Sequence, residues 1–285
     1  MRATTLRLGN RNVDIEHRPV VMGILDLPFR AVAGGPALDD LVRRAEALVG
    51  EGADLLDVGT SGCADGAGLP AGTGTDPAEG EELESVVRAL EALADRFDVT
   101  LSVATSRATV ARAAFAAGAT VGNDASGFAD PEYLAVAAGC GATVVAGHPG
   151  QVGGPPGADA DGAVGAVRDF LVECIGRAGA AGLTPDRIVL DAGLGRGKTP
   201  QQAVALLRAS DQFADLGHAL LLSVSDATFA DGAPGLTDGP CAGAVSLGAT
   251  SLGGVLGCRV VRAHDVAAHR QACAVLAAVN GKVRR

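Results

Sequence analysis

The sequence predicts an α/β protein: a (β/α)8 barrel of the TIM type with a short β-hairpin in front of it. Two observations carry this. Eight short β-rich runs alternate with eight amphipathic, Ala-rich stretches along 285 residues, and such barrels take about 250 residues as one unit. The runs are also apolar along most of their length, as parallel strands buried on both faces are. An open doubly wound sheet of this length usually carries fewer strands. One domain is therefore expected over 1–285, because no linker, low-complexity tail or long-period repeat interrupts the alternation.

The elements follow in order. Leu6-Arg7-Leu8 and Val13-Asp14-Ile15 flank a Gly9-Asn10 turn, which reads as a hairpin placed to plug the bottom of the barrel. Strands are expected at 20–25, 54–59, 100–105, 120–124, 143–148, 187–191, 219–225 and 258–264. Helices are expected at 37–51, 77–97, 107–117, 131–139, 164–181, 200–210, 242–256 and 265–279. Several begin with Pro, which suits a first helical turn because no N–H is needed there. Two Gly/Pro-rich loops, 61–76 and 149–162, follow the second and fifth strands and so belong to the catalytic face of a barrel.

Composition narrows the function. Apolar residues make up 48% of the chain, which argues for an ordered core. Aromatics make up only 3%, with no Trp, so the core must be built from Ala, Val and Leu and platforms for base stacking are scarce. The net charge of −10 is the wrong sign for a nucleic-acid partner. None of the six cysteines forms a C-x-x-C pair, so they are expected to be small buried hydrophobes in a reducing compartment. The opening residues hold no apolar signal core, and no apolar run approaches the ~18 residues that span a bilayer. A cytoplasmic protein without a membrane partner is expected.

Core-facing strand residues should be apolar, so polar residues at C-terminal strand tips are informative. Asp26, Asp57, Asn123 and Asp124 stand at such tips in the first half of the chain. His148, Asp191, Ser225, Asp226, Arg262 and His264 do so in the second. Asp124 and Asp226 suit helix caps equally well. Asp57, Asn123 and Asp191 suit a heterocycle with amide-like edges: a carboxylate accepts from ring N–H and amino groups, and Asn both donates and accepts. Arg262 and His264 alternate on one strand, face the same side, and suit an anion such as phosphate. Asn123 and Asp191 are expected in the barrel mouth, with Arg262 and His264 on its rim.

The most informative stretch is Asp191-Ala192-Gly193-Leu194-Gly195-Arg196-Gly197-Lys198-Thr199, between an apolar run and a helix that starts near Pro200. Ala192 with Gly197-Lys198-Thr199 also fits a loosened phosphate loop for ATP and Mg²⁺. Its place after a sixth strand suits the barrel better.

In their order, these segments resemble the dihydropteroate synthase family. The family's I-L-N-x-T-P-D-S-F corresponds to Ile24-Leu25-Asp26-Leu27-Pro28-Phe29. Its E-G-A-D-I-I-D-V-G-G corresponds to Glu51-Gly52-Ala53-Asp54-Leu55-Leu56-Asp57-Val58-Gly59-Thr60. Its S-V-D-T is Ser102-Val103-Ala104-Thr105, and its I-N-D-x-S-G is Gly122-Asn123-Asp124-Ala125-Ser126-Gly127. Its D-P-G-I-G-F-G-K-T is the stretch from Asp191 to Thr199, and its R-V-H-D-V is Arg262-Ala263-His264-Asp265-Val266. The match covers almost the whole chain.

The resemblance implies a barrel, usually a homodimer, that joins a pterin-methyl diphosphate to p-aminobenzoate with help from Mg²⁺. By position it assigns Asp57, Asn123 and Asp191 to the pterin, and Arg262 and His264 to the diphosphate. His148, Gly195, Lys198 and Ser225 are further pocket candidates. Asp26 stands where the family has an Asn that helps seat Mg²⁺, the only cofactor implied.

The chain also departs from the pattern. Ala104 replaces a pterin-holding Asp, and Ser225-Asp226-Ala227 replaces S-R-K. Gly62-Cys63-Ala64 replaces S-T-R, and Arg196 replaces the Phe of G-F-G-K-T. These losses predict a dihydropteroate synthase-like protein that keeps part of a pterin pocket while its condensation is lost or altered. A weakly active synthase, a folate-dependent methyltransferase of the same barrel type, and a non-catalytic paralogue that binds a partner protein or small ligand are the alternatives.

Overall fold

The computed structural model describes residues 2–27, 36–60, 78–150, 160–223 and 243–280. The predicted loop 61–76, most of 149–162, and Ser225 with its neighbours lie outside them. Residues 160–162, expected in the second loop, are already helical.

Strands β1 (Thr5–Leu8) and β2 (Arg11–Asp14) form the antiparallel hairpin, with Leu8 opposite Arg11. Gly9 turns the chain at φ 60°, a conformation open to Gly at little cost. Eight parallel strands then close a barrel: β3 (Val20–Leu27), β4 (Leu55–Thr60), β5 (Thr100–Ala104), β6 (Val121–Asp124), β7 (Thr143–Gly147), β8 (Ile188–Asp191), β9 (Ala219–Ser223) and β10 (Cys258–Ala263). Each pairs with the next in the chain, and β10 returns to β3 through Val260–Val20 and Arg262–Met22. This is the predicted (β/α)8 barrel with its N-terminal hairpin.

The helices are α1 (Pro36–Gly50), α2 (Glu79–Ala94), α3 (Ala108–Ala116), α4 (Tyr133–Gly139) and α5 (Ala160–Ala180), followed by α6 (Pro200–Arg208), α7 (Ser210–Ala214), α8 (Ala244–Leu256) and α9 (Val266–Asn280). Helix α6 starts sharply because Thr199 and Gln202 form a reciprocal capping box ahead of Pro200. The single helix expected at 200–210 ends at Arg208, and the short α7 follows it.

Strand periodicity places the site. Outward residues such as Leu56, Val58, Leu101 and Val103 pack beneath the helices. Inward residues at the N-terminal end, among them Val20, Leu55, Val121, Val189 and Val260, meet Leu6, Leu8 and Ile15. The hairpin therefore plugs the bottom of the barrel. Two residues further along the same inward rows come Asp57, Asn123, Asp191 and Arg262.

Cys174, Cys258 and Cys273 are buried as expected. Cys140 is not: it follows the last residue of α4 and is exposed.

Candidate functional site

Asp57 is the hub of the barrel interior. It is 0% exposed, and both of its oxygens are engaged. Ser102 Oγ donates to Oδ1 at 2.5 Å. Asn123 Nδ2 and Arg262 Nε each donate to Oδ2 at 2.8 Å. β4, β5, β6 and β10 thus converge on one carboxylate, each through an inward-facing side chain. The expectation that Arg262 stands on the rim is corrected: its side chain is 2% exposed and ion-paired with Asp57 inside the barrel. Burying a guanidinium is tolerable only with such a counter-charge, and Asp57 sits within reach on the barrel wall. Ser102 was missed from sequence, although a polar residue on an inward strand position was the available signal.

Ala104, 1% exposed, ends β5 between Gly59 of β4 and Asn123 of β6. It places a methyl group where the resemblance has a carboxylate. Asn123 is 3% exposed, and its Oδ1 is a buried acceptor without a hydrogen-bond partner.

Asp191 ends β8 at 2% exposure. Its Oδ1 accepts from the Gly193 backbone N–H at 2.8 Å, while its Oδ2 lies 3.9 Å from Arg196 Nη2. Asp191 is not a helix cap, since Thr199 caps α6. Gly193 has φ 66°, and a Cβ there would lie 2.5 Å from the His148 carbonyl oxygen. Only Gly lets this turn pass so close to the end of β7. Arg196, on the same turn, has a side chain only 11% exposed, and its Nη1 has no hydrogen-bond partner. Burial lowers the Arg196 pKa from its ordinary value, and the charge of Asp191 works against that shift. The sequence marked Arg196 only as a departure from the family pattern, since an Arg in a glycine-rich loop reads as exposed.

Lys198 and His148 brace this turn. Lys198 Nζ donates to the carbonyls of Gly150 (2.7 Å) and Arg196 (3.0 Å) and meets His148 Nδ1 at 3.2 Å. Burial pulls Lys198 down to about 8 and His148 down to about 4, the latter also repelled by Lys198. At neutral pH the lysine is charged and the histidine neutral. An ammonium can only donate, so Nδ1 accepts and the ring proton sits on Nε2. Gly195, also in this turn, is partly exposed.

His264 and Asp26 are on the rim. His264 Nδ1 lies 3.7 Å from Asp26 Oδ2, with side chains 52% and 36% exposed. Mg²⁺ is commonly held by one or two carboxylates together with phosphate oxygens and water. Asp26 fits that role when a phosphate ligand completes the shell. Among the described residues, the cluster of three metal-type side chains is Asp14, Glu16 and His17, exposed beside the hairpin at the other end of the barrel. Asp124 caps its own loop, accepting from Ser126 N (2.7 Å) and Phe128 N (3.0 Å). Ser225 lies outside the described residues.

Comparison with known proteins matches this geometry. The pattern of the family described as "Pterin binding enzyme" fits residues 30–264. The dihydropteroate synthase of Synechocystis sp. is 32% identical over 280 residues, covering 95% of this chain and 93% of that protein. A Mycobacterium leprae protein named "Inactive dihydropteroate synthase 2" is 34% identical over 279 residues, covering 93% and 91%. The solved Xanthomonas albilineans dihydropteroate synthase with 4-aminobenzoic acid superposes with a TM-score of 0.83 at 30% identity, over 99% of this chain and 100% of that one. The family pattern, the relatives and the barrel agree along nearly the whole length, so the chain belongs to the pterin binding enzyme family, as a divergent homologue of dihydropteroate synthase.

Proposed function

We propose that this protein binds a pterin-type heterocycle in the barrel mouth and has lost, or keeps only in trace, the condensation of pterin-methyl diphosphate with p-aminobenzoate. The observation that carries the reading is Ala104, buried beside Asn123 with no side-chain polar atom to offer. One hydrogen bond to a charged group contributes roughly 1.5–3 kcal/mol, or about 10- to 100-fold in affinity. Positioning supplies much of the rate in a two-substrate transfer, so lost contacts lower turnover more than binding. The similarity to a protein named "Inactive dihydropteroate synthase 2" supports the reading.

The pterin contacts are Asn123 and Asp191, with Asp57 holding Asn123 in place. His264 and Asp26 would meet a phosphate and its Mg²⁺ at the rim, where the ion would screen the negative charge of the diphosphate. The exposed apolar residues Leu252 and Val255 of α8 and Val275 and Val279 of α9 support a homodimer. No described helix is long and apolar enough to cross a membrane.

The test is complementation of a strain lacking its own synthase, together with pyrophosphate release from purified protein. Absent growth and absent release, with pterin binding retained in calorimetry, are expected. Robust growth and turnover would overturn the reading. A folate-dependent methyltransferase is favoured by one observation, the commitment of Arg262 to Asp57, since that reaction needs no diphosphate site. Binding of a methylated tetrahydrofolate in preference to pterin would select it.

A further inference from the structure

Among the described residues of the barrel mouth, Asn123 Oδ1 and Arg196 Nη1 are buried without hydrogen-bond partners, and no described side chain closes on Asp191 Oδ2. Asn123 Oδ1 is an acceptor: its Nδ2 is fixed on Asp57, which sets the amide orientation. Arg196 Nη1 is a donor. Asp191 Oδ2 has Arg196 Nη2 at 3.9 Å, beyond hydrogen-bond range. Buried polar groups in native proteins are nearly always satisfied, so unmet donors and acceptors grouped in one mouth mark a ligand-binding surface.

We propose that Arg196 is a ligand-binding residue that donates to a ring carbonyl while Asp191 accepts from the neighbouring ring N–H, so that the pair reads a lactam edge. This rests on the pterin-pocket reading above and adds to it a donor that the resemblance does not contain.

The chemistry follows from the spacing. A guanidinium and a carboxylate in direct contact would close on each other at about 2.8 Å. At 3.9 Å the pair is held apart, because Asp191 is tied to Gly193 through Oδ1 and the Arg196 carbonyl is tied to Lys198. A planar ring with adjacent C=O and N–H offers an acceptor to Arg196 and a donor to Asp191. Asn123 Oδ1 can take a further N–H, such as a ring amino group. The complement is a neutral heterocycle of the pterin or guanine type. An aliphatic anion would satisfy Arg196 and leave both acceptors unmet.

The test is calorimetry with pterin and with 2,4-diaminopteridine, in which the ring carbonyl is replaced by an amino donor. The proteins are wild type, Arg196→Met, Arg196→Lys and Asp191→Asn, each checked for fold by circular dichroism. Wild type is expected to prefer pterin. Arg196→Met is expected to lose about 10- to 100-fold in pterin affinity and most of that preference, with partial rescue in Arg196→Lys. A role confined to packing would leave the preference between the two ligands unchanged. Pterin affinity retained in Arg196→Met but lost in Asp191→Asn would overturn the assignment of Arg196 and spare the pocket. Absence of pterin binding by wild type would overturn both.

Discussion

Replacing Asp57 by Asn removes a charge from the barrel interior without changing the side-chain volume. Three donors converge on the carboxylate: Ser102 Oγ, Asn123 Nδ2 and Arg262 Nε. An amide offers one oxygen where the carboxylate offered two, so at least one of these donors would face an N–H. Arg262 cannot shed its proton and, at 2% side-chain exposure, cannot reach bulk water. Removing one partner of a buried pair costs about 3–5 kcal/mol, a large share of the ~5–15 kcal/mol that stabilises a domain. At about 2 °C per kcal/mol for a chain of this size, the Tm should fall by roughly 6–10 °C. The chain has no Trp and one Tyr, so unfolding is best followed by far-UV circular dichroism in heat and in urea. Arg262→Met should cost less, because the carboxylate it leaves keeps two neutral donors, Ser102 Oγ and Asn123 Nδ2. The double variant should recover most of the loss seen in Asp57→Asn. A cost below ~1 kcal/mol for Asp57→Asn, or strict additivity in the double variant, would refute the view that this pair organises the mouth.

Two further outcomes follow. Gly193→Ala should destabilise the turn by at least ~1–3 kcal/mol, because φ 66° is strained for any side chain and the new Cβ would meet the His148 carbonyl at 2.5 Å; thermal melts would show it. His148 is held neutral in the fold down to about 4, against 6.5 when unfolded, so the unfolded chain binds the extra proton between those values. Stability should therefore fall as pH drops from about 6.5 towards 4, and His148→Gln should flatten that part of the urea-midpoint profile.

The barrel was legible because its signals are local and repeated. Each strand is a short apolar run, and each helix opens or closes with its own punctuation; Thr199-Pro200 with Gln202 is an example. The strand-tip carboxylates were legible for the same reason, since Asp57 and Asp191 break otherwise apolar rows. What Arg262 does was not legible. It lies 205 positions from Asp57 in the chain, and an Arg at a strand tip reads equally well as a rim residue. Which way it turns is decided by closure of β10 onto β3 and by a counter-charge that only the closed barrel supplies. Arg196 escaped for a related reason. Burial of an Arg is rare, and the glycines around it gave no sign that the turn folds inward over the mouth. Ser102 looked unremarkable until Asp57 was seen beside it.

The charges of the mouth bear on what the site can accept. Asp57 faces Arg262 and Asp191 faces Arg196, so these two carboxylates bring their own countercharges. A diphosphate drawn to Arg262 would have to compete with a carboxylate already bonded to it at 2.8 Å inside the barrel. Separating such a pair costs several kcal/mol before any new contact forms. A neutral lactam ring separates nothing. It would enter a pair already 3.9 Å apart and would satisfy donors and acceptors that the described side chains leave unmet. Two substitutions that look independent in sequence therefore act in one direction. Ala104 removes a negative charge beside Asn123, and Arg196 adds a positive one beside Asp191. Together they favour a site that holds the heterocycle itself and depends less on the diphosphate tail that would make the heterocycle reactive.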